Sequence, residues 1–222
     1  MTTVLLVRHG RTAANAAGVL AGWTPGIHLD EVGREQTKAL AQRLAPVPVA
    51  GFVTSPLERC RETAEIISAS HSEHARLNSD LDLAECRYGE WTGRPLAELR
   101  QDPLWASVEQ WPSTVTFPNG ESLAGMQARA LDAVRRWNRR YRDGIYVAVT
   151  HGDVIKAVLA DALGMHFDMF QRIVVEPCSV SVIRYTGQRP LVLRTNDLGS
   201  DLASLGRHHA DRDAAVGGGD VR

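Results

Sequence analysis

Three short apolar runs constrain the fold of this chain more than any other feature. Residues 4–7 break off into Arg8-His9-Gly10. Residues 51–54 break off into Ser55-Pro56-Leu57-Glu58-Arg59, and residues 145–149 into Thr150-His151-Gly152. A continuous apolar run of this length, without polar alternation, reads as a strand covered on both faces. Helical spacing lies between them. Val32, Ala39, Leu40 and Leu44 mark a helix over 31–44, stopped by Pro46 and Pro48. A second runs from 55 to about 69, with Ser55 as its cap and Pro56 in its first turn. Leu123, Met126, Ala130, Val134 and Trp137 mark a third over 121–141, and a fourth covers 154–163 before Gly164. Alternating strands and helices predict a three-layer α/β/α fold around a mostly parallel central sheet. Residues 179–185 and 191–194 read as two late strands, joined as a hairpin near Gly187.

The remaining segments bound the domain. Residues 11–30 are rich in Gly and Ala and read as a long loop. Residues from about 84 to 120 hold Pro95, Pro103, Pro112, Pro118, Trp91, Trp105 and Trp111. This composition suits a small inserted subdomain of short helices and loops. A single domain is expected over 1–196. From 197 the apolar residues thin out, and the chain ends in His208-His209 and Gly217-Gly218-Gly219, the composition of a disordered tail. A length of 222 residues suits one such domain.

Composition also narrows the partners. The net charge of −1 gives no field to attract nucleic acid or an anionic membrane. No apolar run reaches membrane-spanning length, and the first is too short for a signal peptide, so a cytoplasmic protein is expected. Cys60, Cys86 and Cys178 are scattered and odd in number, which suits free thiols rather than disulfides or a zinc site. His71 and His74 have ligand-like spacing but no third partner nearby, so no metal or other cofactor is expected. Lysine occurs only at Lys38 and Lys156; the other basic side chains are arginines, whose planar forks suit phosphate.

In open parallel sheets, ligands bind beyond the carboxyl ends of the strands. The three polar clusters therefore share one edge. There Arg8, His9, Arg59 and His151 converge with at least one helix N-terminus, which describes an anion site. Each residue alone has an ordinary explanation, as a capping histidine or a solvated arginine. Three such clusters at equivalent positions of one sheet do not.

These residues resemble a known family. Leu6-Val7-Arg8-His9-Gly10-x-Thr12-x-x-Asn15 is similar to the first signature of the histidine phosphatase superfamily, the phosphoglycerate mutase-like fold. Ser55-Pro56-Leu57-x-Arg59-x-x-Glu62-Thr63-Ala64 resembles the second, and Thr150-His151-Gly152 the third. Leu83-x-Glu85-x-x-Tyr88-Gly89-x-Trp91-x-Gly93 is similar to the segment that carries the family's acid. The resemblance implies that His9 is the nucleophile and forms a phosphohistidine. To attack, His9 must be neutral, with a backbone carbonyl on Nδ1–H and the lone pair on Nε2. Gly10 would let the backbone turn closely beneath it. Arg8, Arg59 and His151 would grip the phosphoryl oxygens, with Asn15 as a further donor and Gly22 and Gly152 bordering the substrate. Glu85 would be the general acid, which needs a raised pKa, with Glu90 as a surface competitor.

The departures from the family's pattern matter too. Residues 22–29 lack the acid that many members carry before the first long helix. Arg11-Thr12 and Cys86 stand where mutases usually have other residues, and the long basic insertion of the mutases is missing. Lys156 replaces a frequent Arg, a change expected to be tolerated at a helix surface. Trp105 and Trp111 are expected to pack the insertion or to line the substrate mouth.

The resemblance thus implies a metal-independent phosphomonoesterase acting on a small phosphorylated metabolite. The alternatives are a cofactor-dependent phosphoglycerate mutase and a non-catalytic phospho-ligand binder. The resemblance is also compatible with a homodimer.

Overall fold

A computed structural model of the chain describes residues 1–71, 76–200 and 202. Its centre is a six-stranded sheet of order β3-β2-β4-β1-β5-β6. The strands are β1 (Thr2–Arg8), β2 (Val49–Thr54), β3 (Leu77–Ser79), β4 (Ile145–Thr150), β5 (Val180–Tyr185) and β6 (Pro190–Asp197). β3, β2, β4 and β1 run parallel, and β5 and β6 add an antiparallel hairpin at one edge. The helices are α1 (Ala13–Ala16), α2 (Glu31–Leu44), α3 (Glu58–Ser68), α4 (Leu96–Leu99), α5 (Leu104–Gln110), α6 (Leu123–Arg140) and α7 (Gly152–Ala162).

β1 shows why its sequence is apolar without alternation. Val4 and Leu6 join a core beneath α6, α7 and the inserted segment. Leu5 and Val7 join a second core beneath α2 and α3. All four are fully buried. Each such side chain stabilises the fold by roughly 1.5–3 kcal/mol, so the strand is held from both sides. The same division splits Val53 from Phe52 in β2, and Ala148 from Val147 in β4.

The long helices and central strands lie where the periodicity placed them, and three local expectations change. Ser55 does not cap α3: the helix starts at Glu58 after Leu57, which makes no side-chain cap bond. Ser55 Oγ accepts the Leu57 N–H and faces His151 instead. The supposed loop after β1 contains α1, whose capping box pairs Thr12 with Asn15. β3 was not foreseen. Its three residues, Leu77-Asn78-Ser79, carry no apolar pattern, and only pairing with β2 makes them a strand.

The insertion is built of α4, α5 and the 3-10 turns Gly89–Trp91 and Pro112–Thr114, as its prolines suggested. Trp91 stacks on Trp105, and Phe117 meets Trp91 edge-on.

Part of the sequence expected as tail is packed. Asp197 closes β6 and pairs with Arg43, and Leu202 is fully buried in the second core. Residue 201 and residues 203–222, including His208 and His209, lie outside the described residues. So does His74, while His71 bonds the carbonyls of Ile67 and Leu44. All three cysteines are buried free thiols. Among the described residues no helix is long and apolar enough to cross a membrane.

Candidate active site

The parallel strands bring the three polar clusters together. The β1–β4 ladder continues past Arg8, where His9 N–H donates to the Thr150 carbonyl at 3.0 Å. The Ser55 N–H likewise reaches the Val149 carbonyl at 2.9 Å. Backbone pairing therefore fixes His9, Ser55 and His151 relative to one another before any side chain contributes. Gly10 is needed for space rather than for a turn. Its backbone is not in the left-handed region, but a Cβ there would lie 2.7 Å from the Gly33 carbonyl of α2.

His9 is 3% exposed and held in one tautomer. Its Nδ1 lies 2.8 Å from the Gly10 carbonyl, which can only accept, so Nδ1 carries the hydrogen. Nε2 keeps the lone pair and accepts from Arg59 Nε at 3.2 Å. Burial, then Arg59, then Arg8 hold the His9 pKa well below its ordinary value. The ring is therefore neutral at physiological pH.

Arg59 is the hub of the site. It is 2% exposed, and its Nη2 donates to the Gly22 carbonyl at 2.9 Å and to His151 Nδ1 at 3.2 Å. His151 must then carry its hydrogen on Nε2, which donates to Ser55 Oγ at 2.8 Å. Burial, then Arg59 and His9, push the His151 pKa well down. Arg8 Nη1 donates to the Val175 carbonyl at 2.6 Å. Two guanidinium nitrogens, Arg8 Nε and Arg59 Nη1, are buried without an acceptor among the described residues. Buried unpaired donors are costly. A phosphoryl group supplies the acceptors both lack.

Glu85 faces this cluster from a tightly held loop. Arg129 on α6 donates to the carbonyls of Asp82 (2.9 Å), Ala84 (2.7 Å) and Glu85 (2.9 Å). Glu121 grips Arg129 in turn, at 2.6 and 3.0 Å. Trp23 Nε1 donates to the same Glu85 carbonyl at 2.7 Å. The carboxylate accepts the Cys86 N–H at 3.0 Å and lies 3.8 Å from His151 Nδ1. Burial first, then the Asp153 charge, push the Glu85 pKa up to about 7, against the pull of Arg59. A carboxyl poised there can give a proton and take one back near neutral pH.

A cavity of about 490 Å³ opens over these groups. Of the residues foreseen from sequence, Arg8, His9, Asn15, Gly22, Arg59, Glu85 and Gly152 line it. His151 is fully buried behind them, on Arg59 and Ser55, and is not part of the wall. Asn15 Oδ1 is committed to Thr12, which leaves its amide nitrogen as the end able to donate. Glu90 is exposed and accepts from Asn119.

Lys156 departs from its expected place on an outer helix surface. It lies on the cavity wall, bonded to Asp153 at 3.3 Å and Gln171 at 3.0 Å. Trp105 also lines the cavity, whereas Trp111 is 55% exposed and outside it. Sequence reasoning passed over Asp153, Gln171 and the roles of Tyr88 and Arg129. Asp153 and Lys156 follow Gly152 at one and four positions, a helical-face spacing that could have been read. Gln171, Arg129 and Val175 reach the site only through tertiary packing.

A mostly parallel α/β sheet carrying a neutral, lone-pair-bearing histidine among two arginines, opposite an acid whose pKa is raised to about 7, defines an enzyme that handles phosphoryl groups. The model of the histidine phosphatase superfamily (branch 1) matches residues 4–198, and the chain belongs to this family. It is 29% identical over 200 residues to phosphoserine phosphatase 1 of Hydrogenobacter thermophilus, covering 88% of this chain and 92% of that one. It is 26% identical to a 2,3-bisphosphoglycerate-dependent phosphoglycerate mutase of Thermoplasma acidophilum, over 82% and 87% of the two chains. Among solved structures, Bacillus stearothermophilus YhfR superposes with a TM-score of 0.83 at 31% identity, covering 90% of this chain and 98% of that one.

Proposed function

We propose that this enzyme hydrolyses small phosphate monoesters, without a metal, through a phosphohistidine on His9. The observation that carries the reading is the fixed tautomer: the Gly10 carbonyl holds Nδ1–H and leaves the Nε2 lone pair for phosphorus. In the first step Nε2 attacks in line and the P–O bond to the alcohol breaks. Arg59 Nε must let go of Nε2 and turn to a phosphoryl oxygen. Arg8 Nε and Arg59 Nη1, which have no acceptor among the described residues, take the other oxygens. Fixed cations aimed at developing charge are the main source of rate in phosphoryl transfer. His151 holds Arg59 in place. Glu85, protonated about half the time near pH 7, gives its proton to the leaving oxygen.

In the second step the Glu85 carboxylate takes a proton from water, and the oxygen attacks phosphorus. The N–P bond breaks, phosphate departs, and the lone pair returns to Nε2. Splitting the displacement in two is ordinary covalent catalysis. Hydrolysis is favoured over mutase chemistry because, among the described residues, Arg8 and Arg59 are the only arginines on the cavity wall. A doubly phosphorylated primer would need a second cationic cradle. A mere binder would need neither the oriented lone pair nor a carboxyl held near neutrality.

The test is turnover of p-nitrophenyl phosphate in the presence of chelator, with His9→Ala alongside. Wild-type activity should survive the chelator, and an acid-labile phosphoenzyme should be trapped on rapid quenching. The variant should lose both. Unchanged turnover in the variant refutes the phosphohistidine route, and loss in chelator refutes the metal-free one. Interconversion of 3- and 2-phosphoglycerate with primer, at a rate matching ester hydrolysis, would establish the mutase alternative.

A further inference from the structure

Beyond the phosphoryl cradle the cavity changes character. Leu20, Leu96, Trp105, Val108, Ile173 and Val174 line it there. Among the described residues that line the cavity, Lys156 is the only lysine or arginine outside the cradle, and its charge is cancelled where it stands. Asp153 Oδ1 accepts from it at 3.3 Å, while Asp153 Oδ2 accepts from Tyr88 at 2.8 Å. Gln171 takes another of the Lys156 hydrogens at 3.0 Å. Glu176, the remaining charged residue of the wall, is acidic.

We infer that the substrate is the phosphate monoester of an uncharged, largely apolar alcohol, and that Trp105 and Val108 select its alcohol moiety. This rests on the phosphatase reading above and concerns the other end of the same cavity. A carboxylate or second phosphate on the leaving group would lose its hydration against Trp105 and Val108. It would meet no cation free to pair with it, and buried unpaired charge is strongly disfavoured. An apolar body gains the burial instead. The volume of about 490 Å³ leaves space beyond the phosphoryl group for a body the size of an aromatic ring. The hydrogen bonds among Tyr88, Asp153, Lys156 and Gln171 form a neutral strip that suits a hydroxyl or ether, not an ion.

The test compares kcat/KM of the full chain on 2-phenylethyl phosphate, O-phosphoserine and 3-phosphoglycerate. All three release primary alcohols, so intrinsic reactivity is similar and the ratio reports recognition. The phenylethyl ester should be preferred by about tenfold or more, in line with what an apolar pocket can discriminate. Trp105→Ala should lower its kcat/KM by about tenfold, mainly through KM, and leave phosphoserine within about twofold. Should Trp105→Ala fold poorly, Val108→Lys places a free cation on the same wall. It should move the preference toward the two anionic esters.

Equal or better turnover of phosphoserine or 3-phosphoglycerate by the wild type overturns the substrate class and leaves the phosphohistidine mechanism standing. An unchanged ratio in Val108→Lys overturns the assignment of the wall. Hydrolysis of none of the three, nor of p-nitrophenyl phosphate, refutes the phosphatase reading and this inference together.

Discussion

Replacing Glu85 with glutamine keeps the shape of the side chain and removes its ionisation. The consequence for stability can be worked out from the site. In the unfolded chain the carboxyl titrates near 4.5; in the folded enzyme burial and Asp153 move it to about 7. That difference disfavours the folded carboxylate by about 3 kcal/mol, at 1.36 kcal/mol per pH unit. Below pH 4.5 both states are protonated and the full stability is present. Between 4.5 and 7 the unfolded chain releases its proton while the folded protein keeps it, so stability falls. Above 7 the loss is complete.

Glutamine escapes this loss and still accepts the Cys86 N–H. The variant should therefore be more stable than wild type by about 2–3 kcal/mol at pH 8.5, and by less than about 1 kcal/mol at pH 5. For a chain of this size that is a rise in Tm of about 5–10 °C at the higher pH. The same variant should lose about 100-fold or more in kcat on an alkyl phosphate, and much less on p-nitrophenyl phosphate, whose leaving group needs no proton. Urea unfolding followed by tryptophan fluorescence at both pH values reads the first effect, and steady-state kinetics the second. An equal gain at pH 5 and 8.5 would point to packing rather than ionisation. A loss of stability at pH 8.5 would refute the argument outright.

Two further substitutions probe what holds the acid in place. Arg129→Met frees three backbone carbonyls of the Glu85 loop and should cost about 100-fold in kcat through misplacement of the acid. KM should change little, and the fall in activity above pH 7 should fade from the pH–rate profile; an unchanged profile would show that Arg129 does not position Glu85. Gly89 sits at φ +54°, and a Cβ there would collide with the Pro118 carbonyl. Gly89→Ala should therefore destabilise the fold by about 2 kcal/mol or more in urea titration, and a change below about 0.5 kcal/mol would show that the insertion relaxes around it.

The buried strands and the strand-end cluster were legible because their signals are local. Residues 4–7, 51–54 and 145–149 are apolar on both faces, which only a strand between two helical layers needs. A parallel sheet then puts whatever follows each strand on one edge, so Arg8, His9, Arg59 and His151 follow from order alone. Once the family resemblance made His9 the nucleophile, the need for a neutral ring with a carbonyl on Nδ1 followed from the chemistry of attack. Ser55 misled as a helix cap because its hydroxyl also meets His151, which follows a strand far away in sequence.

What the sequence could not supply are relations between distant segments. The strand at Leu77–Ser79 exists only through its partner β2. Arg129, on a helix that reads as a plain amphipathic one, clasps a loop more than forty residues earlier. Lys156 looked like a surface substitution, yet it stands on the cavity wall with its charge cancelled by Asp153. Local pattern thus determined the fold class and the cations and histidines that gather at one sheet edge, because strand burial and strand-end chemistry are written within a few neighbouring positions. Tertiary packing decided the protonation of Glu85, the retreat of His151 behind Arg59 and the apolar far wall. Burial and charge at those places are summed over segments that meet only when the chain has folded.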